Sequence, residues 1–117
     1  MNVASWSEIE GKAVGEAGAK GVTIRVLMGD NVGAPNFVMR HFEIAPGGFT
    51  PYHAHPWEHE VYVLGGTGKV RRKDGETGIG PGSFVYIPPD EEHNFSNAAD
   101  APLTFLCVIP ATRVCLR

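Results

Sequence analysis

Four histidines are the residues of this chain whose types and spacing are best suited to chemistry. His53 and His55 lie in the segment TPYHAHPWEHE, His59 follows four residues later, and His93 lies in PPDEEHNFSN. In a β-strand, residues i and i+2 project from the same face, so His53 and His55 would form a pincer of two imidazoles. Neutral imidazole nitrogens are good ligands for divalent transition metals. The four histidines therefore predict a mononuclear metal site.

The composition indicates one domain that folds without disulfides. A chain of 117 residues buries about two-thirds of its unfolded surface, which is enough for a real core. The two cysteines, Cys107 and Cys115, have no CxxC spacing and are expected to be free thiols. The net charge of -3 offers no basic patch, which argues against a nucleic-acid partner.

The chain also lacks the features of a membrane or secreted protein. No apolar run approaches the roughly 18 residues that a membrane span needs. The N-terminal segment MNVASWSEIEGK has neither the charged nor the apolar region of a signal peptide. We therefore expect a cytoplasmic protein with no membrane partner.

Short β-type segments separated by turn residues dominate the chain. They are rich in Val, Ile, Phe and Tyr, and predict strands over residues 22–28, 36–44, 59–64, 68–72, 83–87 and 103–109. Glycine, proline, asparagine and aspartate predict turns at residues 29–31, 45–48, 65–66, 73–75 and 81–82. One weak helical pattern covers residues 5–12, where Ser5 or Ser7 could cap a turn. This organisation favours an antiparallel sandwich or barrel.

Two motifs resemble those of the cupins, small β-barrels in which each motif supplies metal ligands. The first pattern places a glycine before His-x-His, then a glutamate and a second glycine; this chain offers Gly47, His53-Ala54-His55, His59 and Gly66. The second pattern is matched by Gly82, Pro88, His93 and Asn97, with Asp90 in place of its middle glycine. The resemblance covers about residues 37–109. It implies an all-β, single-domain antiparallel barrel of the double-stranded β-helix, or jelly-roll, type.

Two residues could occupy the position of the first motif that is usually a glutamate. His59 and Glu60 both have a spacing that the motif permits. Alternation along this strand would turn His59, Val61 and Val63 inward if His59 is the ligand. Choosing Glu60 would turn that apolar set outward, so we favour His59. The alternative is a site of three histidines and Glu60.

Within the cupins the chain is most similar to a small single-domain subgroup, of the cupin 2 type, that binds one metal through four histidines. The resemblance is carried by residues 34–40, 55–60 and 105–110. It implies one divalent transition metal per chain, with Mn favoured and Fe, Ni, Zn or Cu as alternatives, since intrinsic affinity at an all-nitrogen site would favour Cu, Ni or Zn. No organic cofactor is expected.

The resemblance also implies a homodimer, for which unpaired sheet edges give a physical motive. We expect residues 1–20 to form an N-terminal arm that could contribute to the dimer contact. Residues 21–117 would then form the barrel domain.

Several residues near the histidines are candidates for lining a substrate pocket. Trp57 and Tyr52 border the pincer, where they could pack at the barrel mouth or line a pocket. Phe105 and Cys107 share one face of the last strand, where Cys107 could lie near the metal or be a buried inert thiol. Arg40 could face solvent, which is the simpler reading, or anchor an anionic substrate group. No motif includes the fifth histidine, His41, which we expect to be structural.

The leading functional hypothesis is a metal-dependent oxidoreductase of the dioxygenase type that acts on a small organic substrate. The metal follows from residue chemistry, whereas oxidation follows from family analogy alone. The alternatives are an isomerase or lyase that polarises a carbonyl, and a binding module without catalysis. The sequence contains no obvious inward glutamate to act as a general base, which argues against isomerisation. No catalytic residue is therefore assigned.

Overall fold

Antiparallel β-strands make up almost all of the computed structural model, which describes residues 1–111. Within that range the strands are β1 (Lys12–Ala13), β2 (Lys20–Met28), β3 (Phe37–Phe49), β4 (His59–Gly65), β5 (Gly68–Arg72), β6 (Gly75–Ile79), β7 (Phe84–Ile87), β8 (His93–Ser96) and β9 (Leu103–Pro110). Single 3₁₀ turns cover Trp6–Glu8 and Asp30–Val32. No helix of these residues is long and apolar enough to cross a bilayer.

The strands form one curled sheet in the order β6-β5-β8-β3-β9-β4-β7, and β2 also pairs with β3 and with β1. Strand β3 is long enough to pair with β9 over Phe37–Ile44 and to meet β8 at Phe49. All of these pairings are antiparallel. The predicted all-β, single-domain jelly-roll barrel is confirmed.

The barrel core is built in layers by the register of β3 against β9. Ile44 lies opposite Leu103, and both are completely buried. One layer further along, Phe42 lies opposite Phe105, and the two rings stack with centroids 4.9 Å apart. Alternation then brings the residue two positions before Phe42 onto the inner face, and this residue is Arg40. A guanidinium therefore follows two apolar layers.

The six predicted strands are confirmed. The two-residue β1 was missed, and the turn predicted at residues 45–48 is wrong because β3 continues to Phe49. Strands β6 and β8 were missed as well. The first of these reads GETGI, in which two glycines and exposed polar residues hide the strand pattern. The second has four residues, HNFS, too few for a periodic signal. The weak helical pattern becomes one 3₁₀ turn, which Ser5 caps together with Glu8 in a capping box.

The N-terminal segment packs against the outer face of its own barrel. The Trp6 ring stacks on His41 with centroids 4.9 Å apart, and the Arg25 guanidinium lies 5.0 Å from the Trp6 ring centre. Arg25 Nε also donates a hydrogen bond to the carbonyl of Ile9. The structural role expected for His41 agrees with these contacts. A dimer contact through residues 1–20 stays a prediction, and Cys115 lies outside the described residues.

Two motif positions owe their residue types to backbone conformation. Gly66 has a φ of 75°, and a Cβ there would overlap the carbonyl oxygen of Pro102. Asp90, which replaces the middle glycine of the second motif, has a φ of 67° and is the only non-glycine residue with positive φ among residues 1–111. Aspartate tolerates this left-handed region better than most residues. The motif glycine is therefore replaced without a change of turn.

Asn97, the last residue of the second motif, links two loops to the core. Its side chain is buried; Nδ2 donates to the carbonyls of Ile44 and Ala101 at 2.9 and 2.8 Å, and Oδ1 accepts from the backbone N–H of Ala99. Asparagine suits this position because one side chain supplies both donors and an acceptor.

We expect Asn97→Asp to destabilise the fold by about 2–4 kcal/mol, because a buried carboxylate cannot donate to the carbonyls of Ile44 and Ala101. Urea denaturation followed by tryptophan fluorescence measures the change. Asn94→Asp is a matched control, since Asn94 makes one such donation, to the carbonyl of Thr50, and should lose less. Equal stability of Asn97→Asp and the wild type would contradict this account.

Candidate metal and substrate site

Backbone pairing brings His53 and His93 together although they are separated by 40 positions in the sequence. The N–H of each donates to the carbonyl of the other, at 3.2 Å from His53 and 3.0 Å from His93. Directly opposed residues of an antiparallel pair project their side chains to the same face. The two imidazoles therefore share one side of the barrel, with ring centroids 5.8 Å apart.

His55 and His59 complete a closed ring of four imidazoles. The centroid of His55 lies 4.3 Å from that of His53 and 5.4 Å from that of His59, and His59 lies 5.1 Å from His93. The His59 side chain reaches this group because it is the first inward residue of β4, whose burial alternates strictly. The structure thus brings all four predicted histidines together.

Glu60 lies on the opposite face of β4 from His59. Its side chain is exposed, whereas His59 is 6 % exposed, and Val61 and Val63 are buried beside it. The strand thus has the alternation that the sequence predicts. Glu60 does not line the histidine cavity.

Two of the histidines make contacts that fix their tautomers. His53 Nδ1 lies 3.3 Å from a carboxylate oxygen of Glu16, and His93 Nδ1 lies 2.9 Å from the carbonyl oxygen of Glu91. Both partners can only accept, since a carboxylate and a carbonyl carry no proton, so each Nδ1 must donate. The Nε2 atom of each ring then carries the free lone pair that a metal would bind.

The surroundings of His55, His59 and His93 keep these three imidazoles neutral. Burial lowers the pKa of His59 to about 3, with the neighbouring His93 and Arg40 acting in the same direction. Burial also lowers the pKa of His55 and, against the opposing hydrogen bond to Glu91, that of His93. Metal binding requires neutral imidazole, so these shifts favour it.

The spacing of the four rings fits a metal ion, although their donor atoms are not yet gathered around one point. Two imidazoles that bind one ion at ~2.1 Å would have ring centroids about 4.6–5.3 Å apart for bonds meeting at about 90–110°. The four measured separations bracket this range. Within residues 1–111, no group of three or more His, Cys, Asp or Glu is arranged to hold a metal as it stands. The donor set and spacing fit a metal, but binding would require the rings to turn.

The histidines open into one cavity of about 260 Å³. The four residues predicted to line a substrate pocket, Trp57, Phe105, Cys107 and Arg40, all line it. Trp57 stacks on His55, with ring centroids 4.5 Å apart and nearly parallel planes. Tyr52 does not line the cavity and lies instead under the Arg71 guanidinium, 4.2 Å from its ring centre.

Arg40 points into the cavity, so the simpler reading of the sequence, that it faces solvent, was wrong. Its guanidinium donates a hydrogen bond to Cys107 Sγ at 3.3 Å and lies 4.9 Å from the Phe42 ring centre. Position 40 shares the inner face of β3 with Phe42 and Ile44, which fixes its direction. Burial raises the pKa of the Cys107 thiol, although the adjacent Arg40 opposes this shift.

Glu16 is the residue of this site that sequence reasoning missed. It belongs to the segment between β1 and β2, lines the cavity together with Val14, and contacts His53. The surrounding sequence AVGEAGAK has no periodicity or motif that could have indicated it. The contact depends on the N-terminal arm folding over the barrel mouth, which only the tertiary structure reveals.

Comparison with known proteins agrees with this architecture. The chain is 33% identical over 102 residues to 1-methylthio-D-xylulose 5-phosphate methylsulfurylase of Rhodospirillum rubrum, covering 87% of this chain and 64% of that protein. It is similar to the polyketide cyclase RemF of Streptomyces resistomycificus, with 38% identity, a TM-score of 0.90, and coverage of 94% of this chain and 79% of that one. It thus spans less than two thirds of the length of the first relative and about four-fifths of the second.

A third relative carries another activity in its name. A sugar phosphate isomerase of the cupin superfamily from Silicibacter pomeroyi is 26% identical, with a TM-score of 0.81 and coverage of 95% of this chain and 76% of that one. The three names describe different reactions. The family model for the cupin domain matches residues 40–109, which include all four histidines of the site. The chain therefore belongs to the cupin family.

Proposed function

We propose that this cupin is a metal-dependent enzyme that activates a carbonyl group of a small organic substrate for proton transfer, as an isomerase or cyclase does. His53, His55, His59 and His93 would hold one divalent transition metal, with Mn favoured. The observation that carries the proposal is the carboxylate of Glu16 at the same cavity as the four imidazoles. It supplies the acidic group whose apparent absence from the sequence argued against isomerisation.

The chemistry of a metal held only by neutral ligands suits this reaction. When bound, the ion would withdraw electrons from a substrate oxygen, since no carboxylate among its four protein ligands would offset its charge. The cavity wall formed by Phe42, Phe95 and Phe105 would exclude water from the substrate. Glu16, whose side chain is 57% exposed, is suited to exchange protons with solvent at the mouth.

The relatives support a non-oxidative reaction. Two of the three are named for cyclisation and for sugar phosphate isomerisation, and proton transfer next to a carbonyl is a common step in reactions of both classes. A dioxygenase, the leading hypothesis from sequence, is the second candidate. The largely apolar cavity next to the histidines favours it, because dioxygen partitions into apolar space.

An exchange experiment separates these candidates. In D₂O under argon, the metal-loaded protein should exchange the C–H protons next to the carbonyl of an α-hydroxyketone phosphate or an aromatic 1,3-diketone, as followed by ¹H NMR. Chelation should abolish the exchange above background, and His93→Gln should weaken it. Oxygen consumption without exchange under argon would favour the dioxygenase instead, and binding without either reaction would favour a non-catalytic module.

We expect Glu16→Gln to lower metal affinity about 10-fold, because the carboxylate that orients the His53 ring is replaced by a weaker acceptor. Competition with a chromogenic chelator measures the affinity. Glu10→Gln is a matched control of equal charge change on the same arm, and it should leave the affinity unchanged. An unchanged affinity for Glu16→Gln would show that its contact with His53 has no role in the site.

The chelated protein should lose stability as the pH falls below about 6.5. Unfolded histidines take up protons near that pH, whereas folded His59, with its pKa lowered to about 3, stays neutral. Because the unfolded state binds more protons, His59 contributes a loss of at most about 1.4 kcal/mol per pH unit between pH 6.5 and 3. Thermal unfolding from pH 7.5 to 4.5 measures the slope.

The His59→Gln variant isolates this contribution. The slope of its stability against pH should be shallower than that of the wild type, because the contribution of His59 is lost. A slope should remain, because His41, His55 and His93, whose pKa values are also lowered, are present in both proteins. Identical slopes would mean that His59 titrates normally in the folded chain.

A further inference from the structure

Arg40 is the one side chain in the interior of the cavity that always carries a charge. The residues lining the cavity include one acidic side chain, that of Glu16, and this is half exposed at the mouth. Arg40 forms no ion pair with any carboxylate among residues 1–111. Arg40 is partly buried, and a guanidinium withdrawn from water without a counter-ion is costly unless something else compensates its charge.

The contacts that Arg40 does make compensate its charge only in part. One terminal nitrogen donates to the thiol of Cys107, which is a weak acceptor, and the guanidinium lies against the Phe42 ring. The Nε atom is buried without any hydrogen-bond partner. Nearly all buried polar groups of proteins have partners, so an orphaned charged donor calls for one from outside the chain.

A second orphaned donor lines the same cavity. The indole Nε1 of Trp57 is buried and has no partner, and an indole N–H can only donate. Neither donor is hydrogen-bonded to the acceptors that line the cavity with them, which are the imidazole nitrogens, the hydroxyl of Thr50 and the carboxylate of Glu16. The interior of the cavity therefore presents the unpartnered donors of Arg40 and Trp57 and one positive charge, to which a bound metal would add, while the carboxylate of Glu16 lies at the mouth.

From this we infer that the substrate is an anion and that Arg40 binds its carboxylate or phosphate oxygens, with the indole of Trp57 as a second donor. Oxygen anions accept several hydrogen bonds at once and pair with guanidinium in its planar fork geometry. The apolar layer of Phe42 and Phe105 next to Arg40 then receives the carbon skeleton. This inference deepens the proposed function and rests on it only in calling the bound anion a substrate, since anion binding can be measured without turnover.

Isothermal titration of the full-length chain with matched probes tests the inference. Benzoate is compared with its neutral isostere benzamide, and glycerol 3-phosphate is compared with glycerol. The two comparisons distinguish recognition of a carboxylate from recognition of a phosphate. We expect at least one anion to bind about 10- to 100-fold more tightly than its neutral partner, as for a hydrogen bond to a charged group. Equal affinities within both pairs would overturn the inference without the use of any variant.

Variants assign the preference to Arg40. Arg40→Gln should abolish the preference for the anion and Arg40→Lys should retain part of it, with thermal unfolding verifying that both are folded. Arg71→Gln, which removes an exposed arginine outside the cavity, should behave as the wild type. Retention of the full preference in folded Arg40→Gln would overturn the assignment.

Each titration is performed with metal-loaded and with chelated protein, because an anion could also bind the ion. A preference that persists after chelation and is lost in Arg40→Gln supports the inference. A preference that disappears on chelation would show that the anion binds the metal rather than Arg40, and would overturn the inference. If the preference for the anion is intact but no turnover is found, only the proposed function is contradicted.

Discussion

The reciprocal pair of hydrogen bonds between His53 and His93 is the constraint on which the rest of the site depends. It joins the two cupin motifs at the histidines themselves, where the His53 segment lies outside the continuous strands. The bond from the Thr50 N–H to the Phe95 carbonyl joins the same two segments one step further into the barrel. The bond from the Asp90 N–H to the His55 carbonyl, 2.7 Å long, ties the loops together again. Asp90 can make it because its backbone adopts the left-handed conformation. Backbone geometry thus positions the imidazoles before any ligand arrives.

Burial of this ring of imidazoles next to a guanidinium has an electrostatic consequence. Protonating any one histidine would add charge to a cavity that already contains Arg40, which contributes to lowering the pKa values of His55 and His59. Burial is the main cause of the lowered pKa values of His55 and His59, and the positive field of Arg40, which adds to it, also attracts anions. Arg40 therefore opposes protonation of the imidazoles, which leaves their lone pairs available to a metal, whereas its own charge acts directly against a cation and in favour of an anion.

Features that depend on residues at short, fixed spacings could be predicted from the sequence, and features that depend on long-range contacts could not. The fold and the four histidines were accessible because glycine, proline and histidine recur at fixed spacings, and because alternation on β4 separates His59 from Glu60. The direction of Arg40 was missed, since a charged residue on an apolar face is usually assigned to solvent. Glu16 was missed because its contact with His53 spans 37 positions and involves no motif.

The N-terminal arm connects the outer surface of the barrel to its interior. Trp6 and Ile9 contact Arg25 on the outer face, and β1 then pairs with β2. Beyond β1, Val14 and Glu16 reach the cavity. Because Arg25 and His41 pair across β2 and β3, the arm packs on the strand that carries Arg40. Loosening Trp6 would therefore release a segment whose other end contacts His53, so stability of the arm and order in the site should be linked through one continuous stretch of backbone.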